Sequence, residues 1–196
     1  MACSYGPPVC AGRAAEFGPL ESGEAARMKQ LVVLVGASGA GKTTVAEALS
    51  NRAPWRGHTH YFDSIGVPSS DEMAAKHGGG EGWQEWATRE WIDRLATADG
   101  SPQLLEGQTR PTFILRAAER HTDLEVRIVL LDCSAEVRRQ RLADLRGAPE
   151  LASPQMDSWA AYLAGQAHAL GLPVIDTSAS TPAQVAREVE LVIGLV

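Results

Sequence analysis

The sequence has no basic excess, few cysteines and no long apolar run. Lys and Arg together number 18 against 24 Asp and Glu, a formal net charge of −6. A chain of that sign lacks the basic surface that bulk attraction to nucleic acid or anionic membrane requires, although a local basic cleft for an anionic substrate stays open. The 3 cysteines, Cys3, Cys10 and Cys133, are odd in number and lack metal-ligand spacing. They give no disulfide framework and fit a reducing compartment, the cytoplasm. Cys133 closes an apolar stretch and reads as a small buried residue. No apolar run reaches the roughly 20 residues of a membrane-crossing helix, and the first 27 residues carry no signal-peptide core. That opening stretch is rich in Gly, Ala, Pro and Glu. Residues 1–28 are therefore expected to form a poorly ordered extension, with Met28 a candidate natural start, and residues 29–196 one domain.

What is present is an alternation of short apolar runs and amphipathic stretches. Gln30–Val35 is continuous, β-branched and closed by glycine, the pattern of a strand buried on both faces. Further strands are expected at His60–Phe62, Gln103–Leu105, Val126–Asp132 and Pro173–Asp176. Helices are expected at Lys42–Asn51, from the Ser69-x-x-Glu72 capping box to His77, and at Glu81–Thr97. Others are expected at Pro111–His121, from Ser134 to Arg146 with Leu142 and Leu145 on its buried stripe, along the Met156–Leu170 stripe, and from Thr181-Pro182 to Ile193. Gly78-Gly79-Gly80 is the strongest internal breaker and suits a hinge. Strands alternating with helices predict an α/β architecture, a parallel sheet with helices on both faces.

The most specific signal is Gly36-Ala37-Ser38-Gly39-Ala40-Gly41-Lys42-Thr43, followed by Thr44. It matches G-x-x-x-x-G-K-[ST] in full and sits between a predicted strand and a predicted helix, the setting a P-loop needs. Glycines let the backbone wrap so that successive N–H groups face phosphate oxygens, and the helix adds its positive N-terminal end. Lys42 is expected on the β- and γ-phosphates of ATP and the Thr43 hydroxyl on Mg²⁺. A dinucleotide site also combines strand, glycine turn and helix, with an acid about 20 residues on, where Asp63 falls. The glycines at 36, 39 and 41 do not spell G-x-G-x-x-G, however, and Lys42-Thr43 would go unexplained.

In open α/β sheets ligands lie beyond the carboxyl ends of the strands. Four acids fall there: Asp63, Glu106, Asp132 and Asp176. Asp63 is placed to accept a proton from an acceptor hydroxyl, against the plainer role of capping its turn. Glu106 can orient Mg²⁺ through water; Gln108 and Arg110 on the same loop can meet the acceptor or a phosphate, although Arg110 in a surface ion pair is the plain alternative. Asp132 reads as a loop cap and Asp176 as a source of turn hydrogen bonds. Arg138, Arg139, Arg141 and Arg146 form a local cationic surplus suited to phosphate oxygens, Arg141 above all; a solvated helix face is the plain reading. On the third helix Trp91, Ile92 and Leu95 suit the core, whereas Trp83 and Trp86 lie toward the other edge and are candidates to line an acceptor pocket. His58 and His60 with Asp63 superficially suggest a metal cluster, but a third convergent ligand is not evident.

With these residues in place the chain resembles the P-loop kinases of the nucleoside monophosphate kinase type, among them shikimate, gluconate and chloramphenicol kinases, over about residues 29–195. The segments Tyr61-Phe-Asp-Ser-Ile-Gly-Val-Pro68 and Glu106-Gly-Gln also resemble a bacterial group described as AAA-family ATPase or kinase-like. The resemblance implies a three-layer fold with a five-stranded parallel sheet of order 2-3-1-4-5. It implies transfer of the γ-phosphoryl group of ATP to a small-molecule hydroxyl. It places the acceptor-binding acid at Asp63 and lid arginines at Arg141 and Arg146, with acceptor and lid segments at about 64–97 and 141–156. Where adenylate kinases have Asp-Gly-x-Pro-Arg, this chain has Glu106-Gly-Gln-Thr-Arg110, and a long zinc-type lid is absent. Both departures favour a hydroxylated metabolite or antibiotic over a nucleotide. A nucleotide-dependent switch NTPase that binds a protein partner is the rival class, and a nucleic-acid end kinase a third, disfavoured by the net charge. The oligomeric state is not encoded in any feature of the sequence.

Overall fold

The computed structural model of the protein describes residues 28–145 and 147–195. The expectation for the N-terminal extension therefore falls, Met28 apart, outside the described residues. Five strands are present: β1 (Lys29–Val35), β2 (Thr59–Tyr61), β3 (Gln103–Gly107), β4 (Leu124–Asp132) and β5 (Val174–Asp176). They form one parallel sheet in the order β2-β3-β1-β4-β5. Seven α-helices are described: α1 (Lys42–Ser50), α2 (Ser70–His77), α3 (Gly80–Thr97), α4 (Pro111–Ala118), α5 (Ala135–Gln140), α6 (Pro154–Leu170) and α7 (Pro182–Val192).

The alternation of side chains along β1 generates the three layers. Leu31, Val33 and Val35 face one cluster, with Trp83, Trp91 and Ile92 of α3, Ile114 of α4 and Leu163 of α6. Val32 and Leu34 face the other, with Val45 and Leu49 of α1 and Val185 and Val189 of α7. A strand buried on both faces needs a continuous apolar run, which is what QLVVLV supplies. Trp55, which no periodic pattern marks, is fully buried in the second cluster; its Nε1 donates to Glu190 on α7 at 3.2 Å.

Three local expectations are corrected. Phe62 does not extend β2: it opens a 3₁₀ turn, Phe62–Ile65, and its carbonyl accepts from Trp91 Nε1 at 2.9 Å instead of from a strand. The helix expected to run unbroken from Ser134 to Arg146 is α5 followed by a π-helical turn, Arg141–Leu145. The wider turn keeps Leu142 buried but rotates Leu145 off the stripe, so Leu145 is 82% exposed. Trp83 is not at the outer edge of α3 but on its core face, where its ring meets Phe62 edge-on at 6.0 Å.

Candidate nucleotide and acceptor site

The phosphate loop joins β1 to α1 at the carboxyl edge of the central strand. Gly36 lies so close to β4 that a Cβ there would come within 2.3 Å of the Leu131 carbonyl oxygen. Gly39 has φ +82°, and its missing side chain makes room for Arg138 and Leu142 beneath the loop. Lys42 is buried, and its Nζ donates to the Ala37 carbonyl at 3.1 Å, which folds the ammonium back over its own loop. Thr43 and Thr44 stand exposed in the first turn of α1.

A cavity of about 610 Å³ opens on the β4–β5 side of the loop. Lys42, Thr43, Arg141, Leu145, Thr177 and Pro182 are among its lining residues. Arg141 lies flat along it. Its Nη1 donates to Thr177 Oγ1 at 2.9 Å and to the Gly39 carbonyl at 3.3 Å, and its Nη2 donates to the Thr177 carbonyl at 2.6 Å. Thr177 Oγ1 in turn donates to Ala40 O at 2.9 Å. Loop, π-turn and the segment after β5 are thus tied by one guanidinium and one hydroxyl. Arg146 lies outside the described residues.

Arg138 points inward. It is buried, donates to Asp132, Asp157 and the Cys133 carbonyl, each at 2.9 Å, and so anchors α5 to β4 and α6. Asp132 is therefore an ion-pair partner as well as a strand end. Asp176 accepts from Ser178 N at 2.8 Å; the Ser178 hydroxyl and backbone bonds hold its carboxyl below the ordinary value. Burial pushes the Cys133 thiol up, as for a packed, un-ionised side chain.

Asp63 and Glu106 lie on the opposite flank of the loop. The register pairs Leu34 of β1 with Glu106 and Glu106 with Tyr61 of β2, so Asp63 follows two residues beyond. Glu106 is buried and Asp63 exposed. Tyr61 titrates above its usual range, first through burial and then through the charges of Glu47 and Glu106. Gln108 accepts from Ser38 Oγ at 2.9 Å, which joins the loop after β3 to the phosphate loop. Arg110 pairs with Glu81 at 3.1 Å and donates to Gln84 Oε1 at 2.5 Å. Its guanidinium lies over Phe113, Trp159 and Tyr162 at 5.1, 5.0 and 5.6 Å. Trp86 is half-buried, its ring 5.0 Å from that of His77.

The structure therefore brings Asp63, Glu106, Gln108 and Ser38 to one flank of the loop and Lys42, Thr43 and Arg141 to the other. Trp83 packs into the core beneath. Sequence reasoning missed Gln84 and Glu81, whose only signal is polarity on the first turns of an otherwise apolar-faced helix. His58 and His60 both turn to Gln103, His60 Nε2 at 2.8 Å from its Oε1. Among the described residues no group of three His, Cys, Asp or Glu is arranged to hold a metal ion. An exposed Thr43 hydroxyl with a carboxylate further off suits Mg²⁺, which keeps most of its waters. No helix among the described residues is long and apolar enough to cross a membrane.

The gluconokinase of Sinorhizobium meliloti 1021 superposes with a TM-score of 0.64 at 18% identity, over 86% of this chain and 94% of that one. The shikimate kinase of Acinetobacter baumannii, solved with shikimate, gives 0.58 at 16% identity, over 86% and 96%. The tunicamycin resistance protein of Deinococcus radiodurans gives 0.56 at 19%, over 86% and 97%. At these identities the likeness is one of fold. No curated protein matches the sequence. A family model described as AAA domain matches residues 32–154. With a complete phosphate loop and the 2-3-1-4-5 sheet of the P-loop kinase fold, the chain belongs to the AAA-domain family.

Proposed function

We propose that the protein is an ATP-dependent phosphotransferase that moves the γ-phosphoryl group to a hydroxyl of a small metabolite or antibiotic. The observation that carries this reading is the division of the site by the phosphate loop. Arg141 and Thr177 line a nucleotide-sized cavity on one flank, and Asp63 and Glu106 stand on the other. A hydrolase or switch needs only the first of these. A transferase needs a second place, on the far side of the γ-phosphate, where an acceptor can be held in line. The fold shared with a gluconokinase and a shikimate kinase supports the same reading.

The loop's backbone N–H groups and Lys42 bind the triphosphate, and Arg141 offsets charge on it. Thr43, with Glu106 through water, is suited to hold Mg²⁺, which supplies charge neutralisation when bound. Asp63 orients the acceptor hydroxyl and takes its proton as the new O–P bond forms. The bond from the γ-phosphorus to the β,γ-bridging oxygen breaks, and ADP leaves with that electron pair. The residues 64–97 serve as acceptor segment and 141–156 as lid. The cytoplasm, where ATP and reduced thiols coexist, is the compartment of the reaction.

The test is ADP release from Mg-ATP across hydroxylated metabolites, nucleotides and antibiotics, with Lys42→Ala as the blank. Strong stimulation by one compound, lost in the blank, is the expected result. Asp63→Asn should then abolish transfer while nucleotide binding persists. Slow hydrolysis indifferent to every compound would overturn the transferase reading, and full turnover in Asp63→Asn would remove that residue from the mechanism.

A further inference from the structure

The phosphate loop and the first turns of α3 are joined by a chain of directional hydrogen bonds. Ser38, on the phosphate loop, donates its hydroxyl to Gln108 Oε1 at 2.9 Å. The backbone carbonyl of the same Gln108 accepts from Gln84 Nε2 on α3 at 2.8 Å. Gln84 Oε1 accepts from Arg110, and Arg110 pairs with Glu81 one turn earlier on α3. Gln84 donates through its nitrogen and accepts through its oxygen, so its amide has one orientation.

A second tie runs beside it. Thr88 Oγ1 donates to the Gln84 carbonyl at 2.7 Å and lies 2.6 Å from Thr109 Oγ1. Thr88 has one hydroxyl hydrogen and spends it on Gln84, so Thr109 is the donor in the buried pair. Helix α3 therefore holds residues 108–110 at three points: the Gln108 carbonyl, the Thr109 hydroxyl and the Arg110 guanidinium. Helix and loop form one block. The side chain of Gln108 is the hydrogen bond that joins this block to Ser38, and both of those residues are only half-buried.

We infer that Gln108 is a positioning residue, backed by Gln84, that makes the acceptor-side helix follow the state of the phosphate loop. The inference rests on the proposed transferase reading. When the loop closes on a triphosphate, Ser38 is carried with it. Its bond to Gln108 then draws in the first turns of α3, which carry Glu81 and Gln84. Gly78 and Gly79, both at positive φ just before α3, give the chain its hinge. Filling the nucleotide site thereby sets the acceptor side before an acceptor arrives.

Backbone hydrogen exchange on the full chain, with and without the non-hydrolysable probe Mg-AMPPNP, tests this. In the wild type the probe should slow exchange over residues 81–88. Gln108→Ala should weaken probe binding by no more than about tenfold, the scale of one hydrogen bond, and should lose the probe-dependent slowing. Gln108→Glu keeps an acceptor oxygen for Ser38 and should restore it. Ser38→Ala removes the same bond from the other side and should reproduce the loss, which guards against a fold defect peculiar to Gln108→Ala. Slowing that survives in both alanine variants, or no slowing in a wild type that binds the probe, overturns the inference. A wild type that binds no nucleotide overturns the underlying function instead.

Discussion

At the residue scale, two arginines three positions apart on one turn do opposite work. Arg141 is tied to Thr177 and Gly39 and borders the cavity; Arg138 is 5% exposed and spends its charge on Asp132 and Asp157. Those carboxylates are 30% and 33% exposed, so water shares in stabilising them. Replacing Arg138 by Met should cost about 2–3 kcal/mol, below the roughly 3–5 kcal/mol of a fully buried pair. Urea titration measures this, and an unchanged midpoint would mean that the triad contributes nothing. The sequence shows four arginines but not which one turns inward. Asp157 lies 19 positions from Arg138, and nothing in local spacing links them. Lys42 and Thr43 were legible because the phosphate loop is a complete local motif. Glu81 and Gln84 were not, because their partner Arg110 reaches them only through the fold.

At the element scale, α2 is the most precarious helix described. It has 8 residues, none fully buried, and beyond the packing of Met73 on the core and of His77 on Trp86 it depends on its ends. Ser69 and Glu72 form a capping box in which the Ser69 backbone N–H donates to the Glu72 carboxylate at 3.0 Å. Ser69→Ala should cost the helix about 1 kcal/mol. The Ser69 backbone and side-chain bonds, then Lys76, hold the Glu72 carboxyl below its ordinary value of 4.5. A lowered folded pKa means that the contribution is complete above the ordinary value and is lost as pH falls through the folded one. Exchange at the α2 amides, corrected for intrinsic rate, should therefore speed up on acidification below that range. Glu72→Gln, which cannot ionise, should flatten the dependence, and a dependence of the same size in that variant would locate its cause elsewhere. Capping boxes, apolar runs and proline starts made most elements readable. The π-turn was not, because its residues favour a helix and an i→i+5 turn has no residue signature; it answers to the ties of Arg141 and the burial of Leu142.

At the scale of the whole molecule, alternation predicts a parallel sheet with helices on both faces and the family resemblance implies its strand order, but neither gives the division of labour across the sheet. Because β1 is central, its loop looks toward β3 and β2 on one side and toward β4 and β5 on the other. The cavity on the β4–β5 side is lined both by the phosphate loop near the start of the described chain and by Thr177 near its end, and Arg141 and Thr177 tie the two together. Binding should therefore stabilise the domain as a unit. At a Mg-ATP concentration of a hundred times Kd the gain is about 2.7 kcal/mol. For a domain of this size each kcal/mol raises Tm by roughly 2–4 °C, so the expected shift is about 5–11 °C. On the proposed reading Lys42 meets the phosphates whatever the acceptor is, so Lys42→Ala should lose most of that shift at the same ligand concentration. A wild type whose Tm is indifferent to Mg-ATP at millimolar concentration would refute nucleotide binding itself. A shift that persists undiminished in Lys42→Ala would place the nucleotide outside the phosphate loop.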